Sequence, residues 1–180
     1  KLDAYDWIIF TSANGVRFFA ERLRAAGRDA RAFGKGARIV AIGPGTGNAL
    51  EEHLRLRPDV LPEIYVAEGI LEALAGEELR GKRVLIPRAL EAREVLPETL
   101  REREAAVEVV AAYRTLCIED RETDSLRRDL AENRWDMITF TSSSTVRNFV
   151  DMMGGGYPGE GSGKGRVEAA LASIGPGTSA

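Results

Sequence analysis

Tyr-Asp-Trp-Ile-Ile-Phe-Thr-Ser at residues 5–12 returns as Trp-Asp-Met-Ile-Thr-Phe-Thr-Ser at residues 135–142. Further along, Ile-Gly-Pro-Gly-Thr at residues 42–46 returns unchanged at residues 174–178. The second copy follows the first by 130 residues in the first stretch, counted at the phenylalanine, and by 132 residues in the second. A repeat this long indicates a duplicated domain, because solenoid repeats have periods of about 20–50 residues. The chain is therefore predicted to form two similar lobes with a ligand site between them.

Each copy has the hydrophobic pattern of a strand followed by an amphipathic helix. The apolar runs 7–10 and 137–140 have the length of buried strands. After each run, apolar residues recur at positions i, i+3, i+4 and i+7, which gives the predicted helix one apolar face. A second apolar run, at 38–42 and 170–174, ends in the Gly-Pro-Gly-Thr turn. The residues of the two apolar faces are Val16, Phe19, Ala20, Leu23, Val146, Phe149, Val150 and Met153.

The middle of the chain continues this alternation, which is typical of an α/β domain with a parallel sheet. The second copy stops soon after Thr178, without its own equivalent of residues 51–89. We therefore expect the chain to be a fragment that lacks an N-terminal and a C-terminal piece of the second lobe. The pattern predicts a helix from near Thr46, a short strand or loop at 60–66, a helix at 68–79, a strand at 83–87, a helix at 93–103 and a strand at 106–118.

The composition excludes several classes of function. The chain has 25 basic and 28 acidic residues, which argues against a nucleic-acid binder that relies on a broad basic surface. No apolar stretch approaches the roughly 20 residues that cross a bilayer. The single cysteine, Cys117, and the single histidine, His53, leave no internal disulfide, no Cys-rich or multi-His metal centre and no Ser-His-Asp triad in each lobe. We expect a cytoplasmic protein that uses no cofactor and no metal.

Hydroxyl residues and glycines occupy four turns at which a predicted strand leads into a helix. Ligands of open parallel sheets bind at such turns, beyond the carboxyl ends of the strands. Main-chain N–H groups at a helix N-terminus lack helical partners, so these turns suit carboxylate or phosphate groups. One such turn alone would be interpreted as a helix cap, whereas four turns in matched pairs favour a ligand with several anionic groups. The candidate residues are Thr11, Ser12, Gly43, Thr46, Ser142, Ser143, Ser144, Gly175 and Thr178.

Six short stretches, in their order and spacing over essentially all 180 residues, resemble uroporphyrinogen-III synthases. These enzymes close the linear tetrapyrrole hydroxymethylbilane with loss of water and inversion of the last pyrrole ring, in haem, sirohaem and cobalamin synthesis. The stretches are Ile-Ile-Phe-Thr-Ser-Ala-Asn-Gly-Val (8–16), Val-Ala-Glu-Gly (66–69), Arg-Glu-Val-Leu-Pro (93–97), Ala-Tyr-Arg-Thr (112–115), Phe-Thr-Ser-Ser-Ser-Thr-Val (140–146) and Ala-Ser-Ile-Gly-Pro-Gly-Thr (172–178).

The resemblance implies two similar flavodoxin-like α/β lobes with parallel sheets, joined by a two-stranded β connector, and a substrate in the cleft. Residues 1–116 would form the complete middle lobe, and residues 117–180 the central part of the second lobe. The implied substrate, hydroxymethylbilane, is a polyanion because each pyrrole carries acetate and propionate arms. The protein would act as a monomer, with hydroxymethylbilane synthase or a fused methyltransferase domain as its partner.

The resemblance also implies roles for individual residues. Tyr113 matches the family tyrosine proposed to donate a proton to the departing hydroxyl. Arg93 would either form a structural salt bridge or contact a propionate arm. Glu104 departs from the family, which has glycine there, and implies strain or a different turn. The residues that the resemblance adds to the substrate site are Ala13, Asn14, Ala67 and Glu68.

Two other functions stay open at this point. One is a bilobal binding or regulatory module that closes on an anionic small molecule without catalysis. The other is a phosphosugar or nucleotide enzyme built on paired α/β lobes. The second alternative lacks the glycine-rich nucleotide loop followed by an acidic residue about 20 positions later.

Overall fold

The computed structural model of the chain describes residues 2–117, 121–153, 169–174 and 178. The chain divides into two compact units, Lys1–Arg114 and Thr115–Ala180. The first unit contains, in chain order, β1 (Trp7–Phe10), α1 (Ala13–Ala25), β2 (Arg38–Ala41), α2 (Pro44–Leu54), α3 (Ala67–Ala73), β3 (Arg83–Ala89), α4 (Val95–Glu102) and β4 (Ala106–Tyr113). The second unit contains α5 (Arg121–Ala131), β5 (Met137–Phe140), α6 (Ser143–Met152) and β6 (Ala170–Ser173).

The sheet of the first unit is parallel throughout, with strand order β2-β1-β3-β4. This confirms the predicted α/β class. All four residues of β1 are buried, and alternate residues of a strand face opposite sides of the sheet. Ile8 and Phe10 therefore pack into the core that α1 and α2 cover, whereas Trp7 and Ile9 pack into the core that α3 and α4 cover. The uninterrupted apolar run reflects burial on both faces.

Helix α3 is shorter than the sequence pattern predicts. The pattern extends from residue 68 to residue 79, but the helix ends at Ala73. The Nη2 group of Arg103 donates hydrogen bonds to the carbonyl oxygens of Leu74 and Glu77, at 2.8 and 2.9 Å. A side chain almost 30 residues away therefore binds the carbonyls that follow the end of α3.

Helix α4 begins at Val95, two residues later than predicted. A helix starting at Arg93 would pair the Arg93 carbonyl with the N–H of Pro97, and proline has none. The carbonyl instead accepts a hydrogen bond from Arg88 Nη1 at 2.7 Å.

The remaining differences concern where elements begin and end. Strand β4 ends at Tyr113, not at residue 118, because its partner β3 ends at Ala89, which pairs with Tyr113. Helix α2 begins at Pro44 instead of near Thr46, since the fixed φ of proline suits the first helical position. Residues 60–66 form a loop with one β-bridge, between Val40 and Val60.

Helices α1, α4 and α5 end in the same hydrogen-bonded turn, with a left-handed residue after the C-cap. In α4, Glu104 donates from its N–H to the Arg101 carbonyl, at 2.8 Å, and Ala105 donates to the Leu100 carbonyl, at 3.1 Å. The left-handed residues are Gly27 (φ 65°) in α1, Glu104 (φ 61°) in α4 and Asn133 (φ 50°) in α5. Glu104 therefore adopts the same left-handed turn conformation as Gly27. A side chain is strained in this conformation, as the sequence predicted.

Glu104→Gly is expected to raise the free energy of unfolding by about 1 kcal/mol, because glycine removes the left-handed penalty of a side chain. The exposed ion pair between Glu104 and Arg80 contributes little against this gain. Urea denaturation measures the change, and Gly27→Ala, which introduces a side chain at the equivalent position of α1, should lower the free energy. An unchanged or reduced stability of Glu104→Gly would contradict this interpretation.

The second unit repeats the strand–helix pattern on a smaller scale. Strands β5 and β6 pair in parallel, with Ile138 opposite Leu171, and α6 packs on β5 through an edge-to-face contact between Phe140 and Phe149 at 5.4 Å. The predicted strand and helix are confirmed, but no residue of α6 is buried. In the described part of the chain, no helix is both long and apolar enough to cross a membrane.

Candidate functional site

The predicted site residues of the first unit lie at one edge of its sheet. Thr11 and Ser12 follow β1, Gly43 follows β2, Arg93 follows β3, and Tyr113 is the last residue of β4. Because the four strands are parallel, their carboxyl ends meet at this edge, which we name the carboxyl edge. The other predicted residues stand in the first turns of the adjoining helices, namely Ala13, Asn14, Thr46, Ala67 and Glu68.

The turn into α1 combines a side-chain cap with unpaired main-chain donors. Ser12 has an extended backbone, and its Oγ accepts a hydrogen bond from the Gly15 N–H at 2.9 Å. Ala13 and Asn14 follow and are exposed. Their N–H groups are the first two of the helix, where no helical carbonyl can reach them, and the helix dipole adds positive charge there. The turn can therefore donate two main-chain hydrogen bonds to an anionic group.

Tyr113 lies against this same turn. Its hydroxyl oxygen is 3.0 Å from the Ser12 Oγ, and its ring stacks on Phe18 of α1 with centroids 5.5 Å apart. Since the Ser12 Oγ already accepts the Gly15 N–H, it can donate its own proton to the Tyr113 oxygen. Ser12 and Tyr113, which were predicted as site residues on separate grounds, are therefore in contact with each other.

The Gly-Pro-Gly-Thr turn into α2 offers less to a ligand than predicted. Gly43 is buried, and a Cβ added there would lie 3.1 Å from the Cγ of Tyr65, whose ring covers the turn. Thr46 is also buried, with its N–H bonded to the Gly43 carbonyl at 3.0 Å. The side chain of Thr46 is therefore less accessible to a ligand than the turn pattern predicts. Gly45 is exposed and remains accessible on this turn.

The third turn carries an ion pair. Arg93 donates to both carboxylate oxygens of Glu68, with Nη1–Oε1 at 2.8 Å and Nη2–Oε2 at 3.2 Å. The hydrogen bonds from Arg93, and then the bond from its own main-chain N–H, hold the pKa of the Glu68 carboxyl below its usual value. Arg93 therefore forms a salt bridge, which was one of the two roles predicted for it. The pair uses two of the five N–H donors of the guanidinium, and the neighbouring Ala67 is half-buried.

The corresponding turn of the second unit resembles the turn into α1. The Ser142 Oγ accepts the Thr145 N–H at 3.2 Å, and the Thr145 side chain bonds back to the Ser142 backbone, which completes a capping box. The Ser144 Oγ is 2.9 Å from the Ser142 Oγ, and Ser143 is exposed. Thr178 is helical and half-buried. The predicted site residue Gly175 lies outside the described residues.

Sequence reasoning missed three contributors to the carboxyl edge. Tyr65 covers Gly43, Phe18 stacks on Tyr113, and Arg88 is buried with its guanidinium bonded to residues 93 and 94. Only Arg88 left a recognisable signal, because it is a charged residue at the end of a buried apolar run. Among the described side chains, no group of three or more His, Cys, Asp or Glu is arranged to hold a metal ion.

The family model described as "Uroporphyrinogen-III synthase HemD" matches residues 1–180. The chain belongs to this family. A protein of Methanothermobacter thermautotrophicus is 38% identical over 155 residues, which cover 86% of this chain and 60% of that protein. The uroporphyrinogen-III synthase of Synechococcus elongatus is 32% identical over 177 residues, which cover 97% of this chain and 64% of the relative.

The fold is also similar to a solved structure. A mutant uroporphyrinogen III synthase from the extremely thermophilic bacterium Thermus thermophilus superposes with a TM-score of 0.61 at 24% identity, covering 82% of this chain and 56% of that one. At this identity the likeness concerns the fold alone. The chain of this HemD family member spans about three fifths of the length of these three proteins.

Proposed function

We propose that the protein is a uroporphyrinogen-III synthase that converts hydroxymethylbilane into uroporphyrinogen III. The observation that carries this proposal is the hydrogen bond between Ser12 and Tyr113, beside the two exposed amides of Ala13 and Asn14. The proposal gives Tyr113 the role of proton donor, next to main-chain groups that can bind a carboxylate arm. Family membership and the curated relatives named as uroporphyrinogen-III synthases support the same activity.

In the proposed reaction, electrons from the terminal pyrrole expel the hydroxyl group while the Tyr113 phenol gives it a proton, so that water leaves. When Ser12 donates its proton to the Tyr113 oxygen, the phenol proton is free to point towards the leaving group. The same hydrogen bond stabilises the negative charge that develops on the tyrosine oxygen.

Formation of isomer III requires the enzyme to outcompete closure without inversion of the last ring. Suppressing the uninverted isomer to about one per cent needs a difference of only about 2.7 kcal/mol between the two barriers. Holding the carboxylate arms at fixed turns can supply this difference, because hydrogen bonds to charged groups contribute about 1.5–3 kcal/mol each. We propose that the amides at Ala13, Asn14 and Gly45 provide such bonds, with Arg93 as a further contact.

The proposal includes the architecture that the resemblance implies: two flavodoxin-like lobes with a two-stranded β connector, residues 1–116 forming the complete middle lobe and residues 117–180 the central part of the second. The strand order β2-β1-β3-β4, with helices on both faces, supports the assignment of the first lobe. The enzyme would work as a cytoplasmic monomer without cofactor, supplied by hydroxymethylbilane synthase or fused to a methyltransferase.

The decisive experiment supplies the full-length protein with hydroxymethylbilane from a coupled deaminase and separates isomers I and III after oxidation. The proposal requires isomer III as the main product at a rate above that of spontaneous closure. Formation of isomer I alone, at the uncatalysed rate, would refute it. Thermal stabilisation by the tetrapyrrole without turnover would instead identify a binding module.

Tyr113→Phe is expected to lower kcat about tenfold and to leave the fraction of isomer III unchanged. The substituted pyrrole still expels the hydroxyl, and the loss of one hydrogen bond of about 1.4 kcal/mol, near the upper end of the usual range, corresponds to a factor of ten. Tyr5→Phe is the matched control, because the Tyr5 hydroxyl bonds Glu108 away from the carboxyl edge. Steady-state rates measure the effect; complete loss of turnover in Tyr113→Phe would contradict a mechanism based mainly on positioning.

A further inference from the structure

Arg88 is a buried arginine that the proposed reaction does not use. It lies near the carboxyl end of β3, and its side chain is only 7% exposed. Burial of a guanidinium carries a large desolvation cost unless acceptors surround it. Among the described residues, the Nε of Arg88 is buried and has no hydrogen-bond partner. An arginine kept in the interior at this cost calls for a role that an apolar residue could not serve.

The two terminal nitrogens of Arg88 both bind the segment that follows β3, residues 90–94. Nη1 donates to the Arg93 carbonyl at 2.7 Å, and Nη2 forms an ion pair with the Glu94 carboxylate. These two acceptors are adjacent in sequence, so the planar guanidinium fork fixes both the backbone and the side chain at the start of α4. We refer to residues 90–94 as the β3–α4 loop.

This loop connects two parts of the carboxyl edge. At one end, the N–H of Leu90 donates to the carbonyl of Tyr113 at 2.8 Å. At the other end, Arg93 extends to Glu68, the first-turn residue of α3. The position of the Arg93 side chain therefore depends on the same backbone whose carbonyl Arg88 holds.

We propose that Arg88 is a positioning residue that holds the β3–α4 loop so that Arg93 stays paired with Glu68 and available to a carboxylate arm of the substrate. The substrate part of this inference rests on the proposed function. Arg88 acts through the loop and touches no substrate. Arginine is required because one planar group must bind a carbonyl and a carboxylate together. Lysine offers the charge without that fork.

The test compares Arg88→Met, Arg88→Lys and Glu94→Gln in the full-length protein. Methionine fills a similar volume with an apolar side chain, and the freed Glu94 is half-exposed and can be hydrated, so folding should be retained. In Arg88→Met, the pKa of Glu68, followed by carbon NMR titration, should rise towards its ordinary value. The KM for hydroxymethylbilane should increase about tenfold with little change in kcat. Arg88→Lys and Glu94→Gln should give intermediate shifts of both quantities.

Arg80→Met is the matched control, because Arg80 is an exposed arginine whose ion pair with Glu104 lies outside the β3–α4 loop. It should change neither the Glu68 pKa nor KM. The inference is overturned if both quantities keep their parent values in folded Arg88→Met. If that variant does not fold, parent values in both Arg88→Lys and Glu94→Gln overturn it equally. Should the parent protein fail to convert hydroxymethylbilane, the proposed function falls, and the Glu68 titration still decides whether Arg88 positions Arg93.

Discussion

Ala13→Pro is expected to raise the KM for hydroxymethylbilane about 10- to 100-fold while leaving the thermal stability nearly unchanged. The substitution removes one main-chain N–H that we propose binds a carboxylate, and such a bond contributes about 1.5–3 kcal/mol. Proline suits the first position of a helix, and Pro44 already occupies that position in α2. The preceding Ser12 has φ −167° and ψ 153°, the extended conformation that a following proline favours.

The control for this prediction is Ala13→Ser, which changes the exposed side chain and keeps the N–H. It should bind substrate like the parent. Thermal unfolding of both variants separates a lost donor from a damaged helix, and steady-state kinetics give KM. If Ala13→Pro folds normally and binds the substrate with an unchanged KM, main-chain donors at this turn do not hold the substrate. The proposed means of fixing the carboxylate arms would then have to rest on side chains such as Arg93.

Gly69→Ala is expected to lower the free energy of unfolding by about 3 kcal/mol, the largest stability effect that we predict for a single methyl group. A Cβ at position 69 would lie 2.0 Å from the Ile64 carbonyl oxygen and 3.0 Å from its carbon. Gly69 is buried in α3, and the same Ile64 oxygen accepts the Val66 N–H at 2.9 Å. Neither the helix nor this tight turn can move without losing its packing.

Gly47→Ala provides the matched control, because Gly47 is also a helical glycine. Its added Cβ would meet Pro58 at 3.6 Å, an ordinary contact, so alanine should stabilise α2 by up to about 1 kcal/mol. Urea denaturation of the two variants should give changes of opposite sign. Equal effects would show that helix propensity, and not the approach of Ile64, determines the result. Gly69 is the last residue of the Val-Ala-Glu-Gly stretch that carries part of the family resemblance. The close approach of Ile64 explains why glycine stands at this position.

The carboxyl edge was predictable in outline from the sequence. Thr11 and Ser12 stand between an apolar run and a helical pattern, and that local order is sufficient to place them beyond a strand end. The cap formed by the Ser12 Oγ follows from the same local signal. Thr46 has equivalent sequence context, yet it is buried. Its exposure depends on how α2 packs, which a repeated motif does not specify.

By itself the sequence determined the α/β class, the order of strands and helices in the first unit, and the apolar faces that cover its sheet, whereas helix α5 was not predicted. These features depend on which residues avoid water, and their periodicity is local to each element. Tertiary structure alone decided which groups bind the carbonyls at the end of α3 and before α4, since Arg103 and Arg88 reach them from other segments. It also decided the contact between Ser12 and Tyr113, 101 positions apart. Such hydrogen bonds form only when the sheet brings distant strand ends together, and no local pattern of polarity encodes that distance.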